Sequence, residues 1–264
     1  MADALFDLSG RKALVTGAAR GLGSAMAEAL ARAGAHIILN DIDEAALKAR
    51  CTGLAALGLS AEPSAFDVCD EGGIADAIRR IGQRHGKLDV LVNNAGIAVY
   101  KGLADHEPGE WDRVLDIDLK ALYLVAREAA RIMPDQAHGR IINIASVLGL
   151  ISRPGILSYV VAKHGVIGMT RALAAELGPR GITCNAIAPG YFETPMNESL
   201  TADSAFREMI AARTPLKRWA SPQELSGPVV FLASAASSFV TGQVLVVDGG
   251  LTASLFPQEM APGN

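Results

Sequence analysis

Cysteine is scarce: Cys51, Cys69 and Cys184 are the only three in a chain of 264 residues. Three thiols cannot build a disulfide framework, and their spacing fits no zinc site. Aromatic residues make up 5% of the chain, so a core has to be filled by small aliphatics and alanine. A basic surplus is also missing. Lys and Arg number 24 against 28 Asp and Glu, for a net charge of −4. That balance excludes electrostatic binding to nucleic acid or to an anionic membrane. No apolar run approaches the roughly 18 residues that span a bilayer. Met1–Ser9 has neither the basic nor the apolar region of a secretory signal, and the cytoplasm is the default expectation. There is no internal repeat and no low-complexity tract. No serine has the G-x-S-x-G surround of a nucleophile elbow, which sets a serine hydrolase aside. Half of the residues are hydrophobic, which excludes a disordered chain.

What is present is a rhythm. Strand-length apolar runs recur at Ala13–Thr16, His36–Leu39, Ser64–Phe66, Val90–Val92, Arg140–Ile144, Thr183–Ile187 and Val244–Val247. Between most of them lie segments with helical spacing: Gly21–Ala33, Asp43–Leu57, Glu71–His85, Leu119–Met133, Ser158–Leu177 and Gln223–Ser234. Strand alternating with helix implies parallel strands joined by crossovers. Continuous apolar strands are buried on both faces. The fold class is therefore α/β, a doubly wound Rossmann sheet of about seven parallel strands with helices on both faces. No composition break divides residues 1–264, so a single domain is expected. Gly190–Pro215 interrupts the rhythm between a strand and the next helix, and a segment of that length suits a substrate lid over about 190–215. The tail Leu255–Asn264 is expected to be irregular.

The 27 glycines are unevenly placed. After the first strand comes Thr16-Gly17-Ala18-Ala19-Arg20-Gly21-Leu22-Gly23, opening a helix. Glycines here allow a tight strand-to-helix turn and close backbone approach to a phosphate, and the helix N-terminus offers free N–H groups to a pyrophosphate. Asp41 ends the second strand, 24 residues after Gly17. An acid there accepts both hydroxyls of an adenosine ribose and repels a 2′-phosphate, so NAD is preferred. Arg20 points the other way, and NADP stays open. Asp67 follows the third strand and Asn93-Asn94-Ala95-Gly96 the fourth. All four elements sit at carboxyl ends of successive strands, where doubly wound sheets bind ligands.

Ser146 follows the fifth strand, and Tyr159 comes thirteen residues later with Lys163 one helical turn beyond. Residues i and i+4 share a helix face. An ammonium near a phenol lowers its pKa from about 10, and the phenol can then work as a general acid or base. A serine hydroxyl beside it can donate to a carbonyl oxygen.

With TGAARGLG at Thr16–Gly23, NNAG at Asn93–Gly96, Ser146, Tyr159/Lys163, NAIAPG at Asn185–Gly190 and Asp248-Gly249-Gly250 in this order, the chain resembles the short-chain dehydrogenase/reductase family from Leu5 to about Gly250. Within it, LFDLSGRKALVTG at Leu5–Gly17, APGYFETPM at Ala188–Met196 and RTPLKRWASPQEL at Arg213–Leu225 are similar to gluconate 5-dehydrogenase-type members. The resemblance implies Tyr159 as acid/base, Ser146 as its partner at the substrate oxygen, and Lys163 on the nicotinamide ribose. It implies Asn93 and Ala95 along the adenine side, Asp67 and Val68 by the adenine ring, Gly96 at the end of a cofactor strand, and Pro189, Gly190 and Thr194 over the nicotinamide. It also implies a homotetramer packed through Leu119–Met133 and Ser158–Leu177. Arg153, with Lys101, would hold a substrate carboxylate. Ile97, Val147, Leu148, Tyr191, Phe192 and Met196 are the expected substrate wall.

The chain departs from the family at one candidate catalytic position. Asp118, in Asp116-Ile117-Asp118-Leu119-Lys120, stands where members carry Asn. Its charge would stabilise the Lys163 ammonium and oppose the Tyr159 phenolate, with the proton relay kept through backbone and water. The five histidines show no ligand set, and no metal is expected. Cys51, Cys69, Cys184, Trp111 and Trp219 read as packing residues, with Trp219 near the lid. The function expected is an NAD(P)(H)-dependent oxidoreductase for a secondary alcohol and its ketone, with sugar acids or polyols as substrates. A 3-oxoacyl thioester or cyclic ketone reductase is the alternative. A dinucleotide sensor without turnover is the reading from another class, and the intact Tyr159/Lys163 pair opposes it.

Overall fold

The computed structural model describes residues 2–135 and 138–255. In chain order it comprises α1 (Ala2–Phe6), β1 (Lys12–Val15), α2 (Gly21–Arg32), β2 (His36–Leu39), α3 (Glu44–Ala56), β3 (Ala61–Pro63), α4 (Glu71–His85), β4 (Val90–Asn93) and α5 (Pro108–Leu115). There follow α6 (Ala121–Ile132), β5 (Arg140–Ile144), α7 (Leu157–Leu177), β6 (Thr183–Pro189), α8 (Glu198–Ala202), α9 (Ser204–Arg213), α10 (Ser226–Ala233) and β7 (Val244–Val247). The seven strands form one parallel sheet in the order β3-β2-β1-β4-β5-β6-β7. The order reverses between β1 and β4, and their carboxyl ends open the crevice in which such sheets bind ligands.

Alternate residues of the central strands feed two cores, as the two-residue strand period requires. Val15, Ile37, Leu39 and Val92 pack with Met26 and Leu30 of α2 on one face. Leu14, Ile38, Leu91 and Ile141 pack with Ile74 and Ile78 of α4 and Val125 of α6 on the other. β4, β5 and β6 are buried throughout, whereas β7 is only partly covered.

The third strand differs from expectation. It runs over Ala61–Pro63, not Ser64–Phe66, because Ile37, Ile38 and Leu39 pair with Ala61, Glu62 and Pro63. The apolar signal at Phe66 marks core packing beyond the strand. There the Asn40 side chain donates to the carbonyls of Ser64 and Phe66 at 3.1 and 2.9 Å. The segment expected to begin a helix at Leu119 instead starts with α5 and continues through a π-turn at Asp116–Lys120 into α6. Gly190–Pro215 carries α8 and α9, so this segment is helical in its middle and not an open loop. Of the tail, residues 256–264 lie outside the described residues. No helix among the described residues is long and apolar enough to cross a membrane.

Candidate active site

The turn after β1 is held by the segment that follows β4. Thr16 Oγ1 accepts from the amides of Asn94 and Ala95 at 2.9 and 3.1 Å. Asn94 Nδ2 returns bonds to the carbonyls of Thr16 and Gly17 at 2.9 and 3.0 Å. Gly17 and Gly21 adopt φ of +61° and +58°, a region that side chains with a Cβ enter at a cost. A Cβ on Gly23 would strike the Gly17 carbonyl oxygen and come within 2.5 Å of Asn94 Nδ2. Arg20, the residue before α2, gives no side-chain cap. The first-turn amides of α2 therefore face the crevice, as an anion cradle requires.

A cavity of about 1050 Å³ extends from this turn over the carboxyl ends of the strands. Gly17, Arg20, Gly21 and Leu22 line one end with Asp41, Asp67 and Val68. Asp41 accepts from the amides of Ala19 at 3.3 Å and Asp43 at 3.2 Å, and Asp67 accepts from Cys69. Arg20 is exposed and leans on Asp43 at 3.9 Å. Ala95, Gly96 and Ile97 form the floor, and Pro189, Gly190 and Thr194 come from the far side. A Cβ on Gly21 would touch Pro195 and Thr194 at 3.8 and 3.9 Å, so the segment after β6 already reaches across the glycine turn. Gly190 packs against Asp248, whose carboxylate accepts from Gly250 and Thr252. The Asp-Gly-Gly sequence thus fastens the root of that segment to β7.

At the other end stand Ser146, Tyr159, Lys163 and Asp118, with Val147, Leu148, Arg153, Tyr191, Phe192 and Met196. Ser146 caps a short turn by accepting from Leu148 at 3.1 Å. Its hydroxyl also reaches Tyr159. Lys163 Nζ lies 5.3 Å from the Tyr159 ring centre, 3.0 Å from Asp118 Oδ2 and 3.1 Å from the Ile144 carbonyl, to which it donates. Asp118 Oδ1 accepts from the Ile97 amide at 2.7 Å. Burial pushes the Tyr159 phenol up; Lys163 pulls it down and Asp118 pushes it up again, for a net rise. Burial alone would lower the Lys163 ammonium, but the Asp118 and Tyr159 charges outweigh it and hold the proton on.

Three expected site residues are not brought to the cavity wall. Asn93 is turned into the core, where its Nδ2 donates to Asn143 Oδ1 at 3.0 Å and to the Leu122 carbonyl. The neighbour Asn94 does the work at the turn, and in an Asn-Asn pair only strand register tells them apart. Gly23 lies beneath the turn, where close packing on Gly17 is its use. Lys101 is tied to Glu110 at 2.6 Å, so of the two expected carboxylate-holding cations only Arg153 lines the cavity. The sequence reading also missed Tyr100, which lines the cavity with Arg153 stacked over its ring at 5.5 Å. No motif marks Tyr100, and only the fold brings it there.

Two of the histidines come together only in the fold. Parallel register sets His36 beside Glu62 and the end of α4, so that His36, Glu62 and His85 place ligand-type atoms within 4.8 Å of one another. Glu62 is already engaged, by His85 at 2.7 Å and Arg84 at 3.0 Å. The cluster lies at the amino end of β2, away from the cavity.

The family model described as enoyl-(acyl carrier protein) reductase matches residues 17–252. The chain is 43% identical to the gluconate 5-dehydrogenase of Gluconobacter oxydans (strain 621H), covering 95% of this chain and 98% of that one. It is 40% identical to the 3-oxoacyl-[acyl-carrier-protein] reductase of Thermotoga maritima, over 92% and 98%. The crystal structure of a gluconate 5-dehydrogenase from Burkholderia cenocepacia J2315, in complex with NADP and tartrate, superposes with a TM-score of 0.94 at 42% identity, covering 97% and 100%. The chain is a short-chain dehydrogenase/reductase. Like other members of that family it is an NAD(P)-dependent oxidoreductase that interconverts a secondary alcohol and a ketone.

The glycine turn generates a test for this dehydrogenase. Gly23→Ala is expected to cost about 1–3 kcal/mol through overpacking and to weaken dinucleotide binding. Thermal unfolding and a fluorescence titration with reduced dinucleotide check both effects.

Proposed function

We propose that the protein oxidises and reduces a hydroxy acid of the sugar-acid class, in the manner of a gluconate 5-dehydrogenase. The observation that carries this is Arg153. It lines the cavity near Tyr159, stacked at 5.5 Å over both Tyr100 and Phe206. Its Nε is buried without a hydrogen-bond partner, and among the described residues no carboxylate pairs with its guanidinium. A stacked, underused guanidinium suits a planar carboxylate. The tartrate complex of the Burkholderia relative fits the same substrate class.

In this reading the first-turn amides of α2 and the backbone around Gly17, Gly21 and Leu22 hold the pyrophosphate. Asp41 takes the adenosine ribose, and Asp67, Val68, Ala95 and Gly96 flank the adenine side. Lys163 holds the other ribose, and Pro189, Gly190 and Thr194 close that end. A bound nicotinamide supplies or accepts the hydride. Ser146 donates to the substrate oxygen, and Tyr159 gives that oxygen a proton in reduction or removes it in oxidation. Ile97, Val147, Leu148, Tyr191, Phe192 and Met196 form the substrate wall. The segment over about 190–215 serves as the lid of a single domain, held by the edge-on cluster of Tyr191, Phe206 and Trp219.

Asp41 favours NAD over NADP, since its carboxylate stands at the ribose end of the cavity and opposes a 2′-phosphate. Exposed Tyr123 on α6 and Leu157 and Val161 on α7 support a homotetramer that buries these helices. The free thiols suit a cytoplasmic enzyme.

Steady-state rates with aldonic and keto-aldonic acids, 3-oxoacyl thioesters and neutral cyclic ketones test the substrate class. Acids are expected to be turned over best. Arg153→Met is expected to raise their KM by about 10- to 100-fold with neutral ketones little changed. Better turnover of the thioesters by the wild type would overturn the reading. Asp41→Ala is expected to raise affinity for NADP relative to NAD by about tenfold or more, measured by titration with each dinucleotide.

A further inference from the structure

We propose that Asp118 is a positioning residue that keeps Tyr159 in its proton-bearing form, setting the site for proton delivery to a carbonyl oxygen. The inference rests on the reading of Tyr159 as the acid/base.

Asp118 is wholly buried in the π-turn between α5 and α6. The turn rotates its carboxylate into the space between the floor residue Ile97 and the Lys163 ammonium. An isolated ammonium beside a phenol stabilises the phenolate. Here the ammonium is matched by a carboxylate at 3.0 Å, so the pair acts on Tyr159 as a dipole. Lys163 is itself only 3% exposed, and little solvent screens the exchange. The carboxylate sits against Gly96, in space that a Cβ at that position would contest at 2.8 Å from Oδ2. Among the described residues Oδ2 has no partner besides Lys163, which is the group that answers its charge.

The groups acting on Tyr159 come from every element around it. They are Lys163 from α7, Asp118 from the π-turn, Ser146 after β5 and Tyr191 after β6, with Tyr100 facing it from the loop after β4. Arg153 lines the same end of the cavity, stacked over Tyr100, but the charges that act on the Tyr159 phenol are those of Lys163 and Asp118. Burial raises the phenol most, and Asp118, by offsetting the pull of Lys163, leaves that rise in place. In reduction the Tyr159 O–H bond breaks and its proton joins the substrate oxygen as hydride adds to the carbon. Oxidation runs the same exchange backwards and needs the phenolate first. A Tyr159 that gives up its proton late keeps reduction running to higher pH and delays oxidation by the same interval. The equilibrium constant of the reaction is untouched.

The test is kcat/KM against pH in both directions for wild type and Asp118→Asn, in which the amide oxygen still accepts from Ile97. The falling limb of reduction and the rising limb of oxidation should both move to lower pH, by the same amount, about one unit. Unmoved limbs, or limbs that move by different amounts, would overturn the proposal. A measurement on the wild type still puts the proposal at risk if the variant does not fold. The phenolate absorbance of Tyr159, isolated by subtracting a titration of Tyr159→Phe, should appear above the ordinary tyrosine pKa of about 10. Its appearance below that value would sink the proposal. This titration uses no substrate, so a failed substrate panel leaves it standing.

Discussion

The lock between Thr16 and Asn94 is the constraint on which the rest of the site depends. Thr16 follows β1 and Asn94 follows β4, and the two hydrogen bonds between them, with one more from Asn94 to Gly17 and one from Ala95 to Thr16, fasten two neighbouring carboxyl ends together. The sheet reverses its order there, so no helix crosses between them and a crevice is left. The lock bends the chain into the glycine turn and aims α2 at that crevice. It also puts Gly96 and Ile97 where Asp118 meets them. Dinucleotide cradle and proton-transfer end are thus two sides of one joint.

Charge is distributed along the cavity in keeping with this division. The glycine end works through backbone amides and one half-buried carboxylate, Asp41, with Arg20 drawn aside toward Asp43. The far end works through a buried ion pair beneath a phenol. Breaking such a pair from one side leaves an unmatched buried charge, which is why its two members are best understood together. Arg153 stands at that end as a cation with no carboxylate partner among the described residues, whereas Lys101 is held by Glu110.

Much of this was legible before the fold was known. Alternating apolar runs and helical spacing located all but one of the strands, because buried parallel strands are apolar throughout. The glycine turn, Ser146 and the Tyr159/Lys163 pair were legible for the same kind of reason: each needs a residue type at a set spacing. What escaped depends on partners distant in sequence. Asn93 and Asn94 differ only in which way the strand turns them. Glu62 and Pro63 read as a loop until pairing with β2 makes them a strand. Tyr100 and the His36–Glu62–His85 cluster have no spacing to announce them. Lys101 looks like a free cation until α5 brings Glu110 alongside.

The central claim is that one phenol moves the proton in a site whose dinucleotide cradle is built separately. Comparing Tyr159→Phe with wild type tests it most directly, by reduced-dinucleotide binding and by turnover of the best substrate in one preparation. Binding should stay within about twofold while kcat falls by about 10²- to 10⁴-fold. Turnover that survives the loss of the hydroxyl, or binding that collapses with it, would contradict the account.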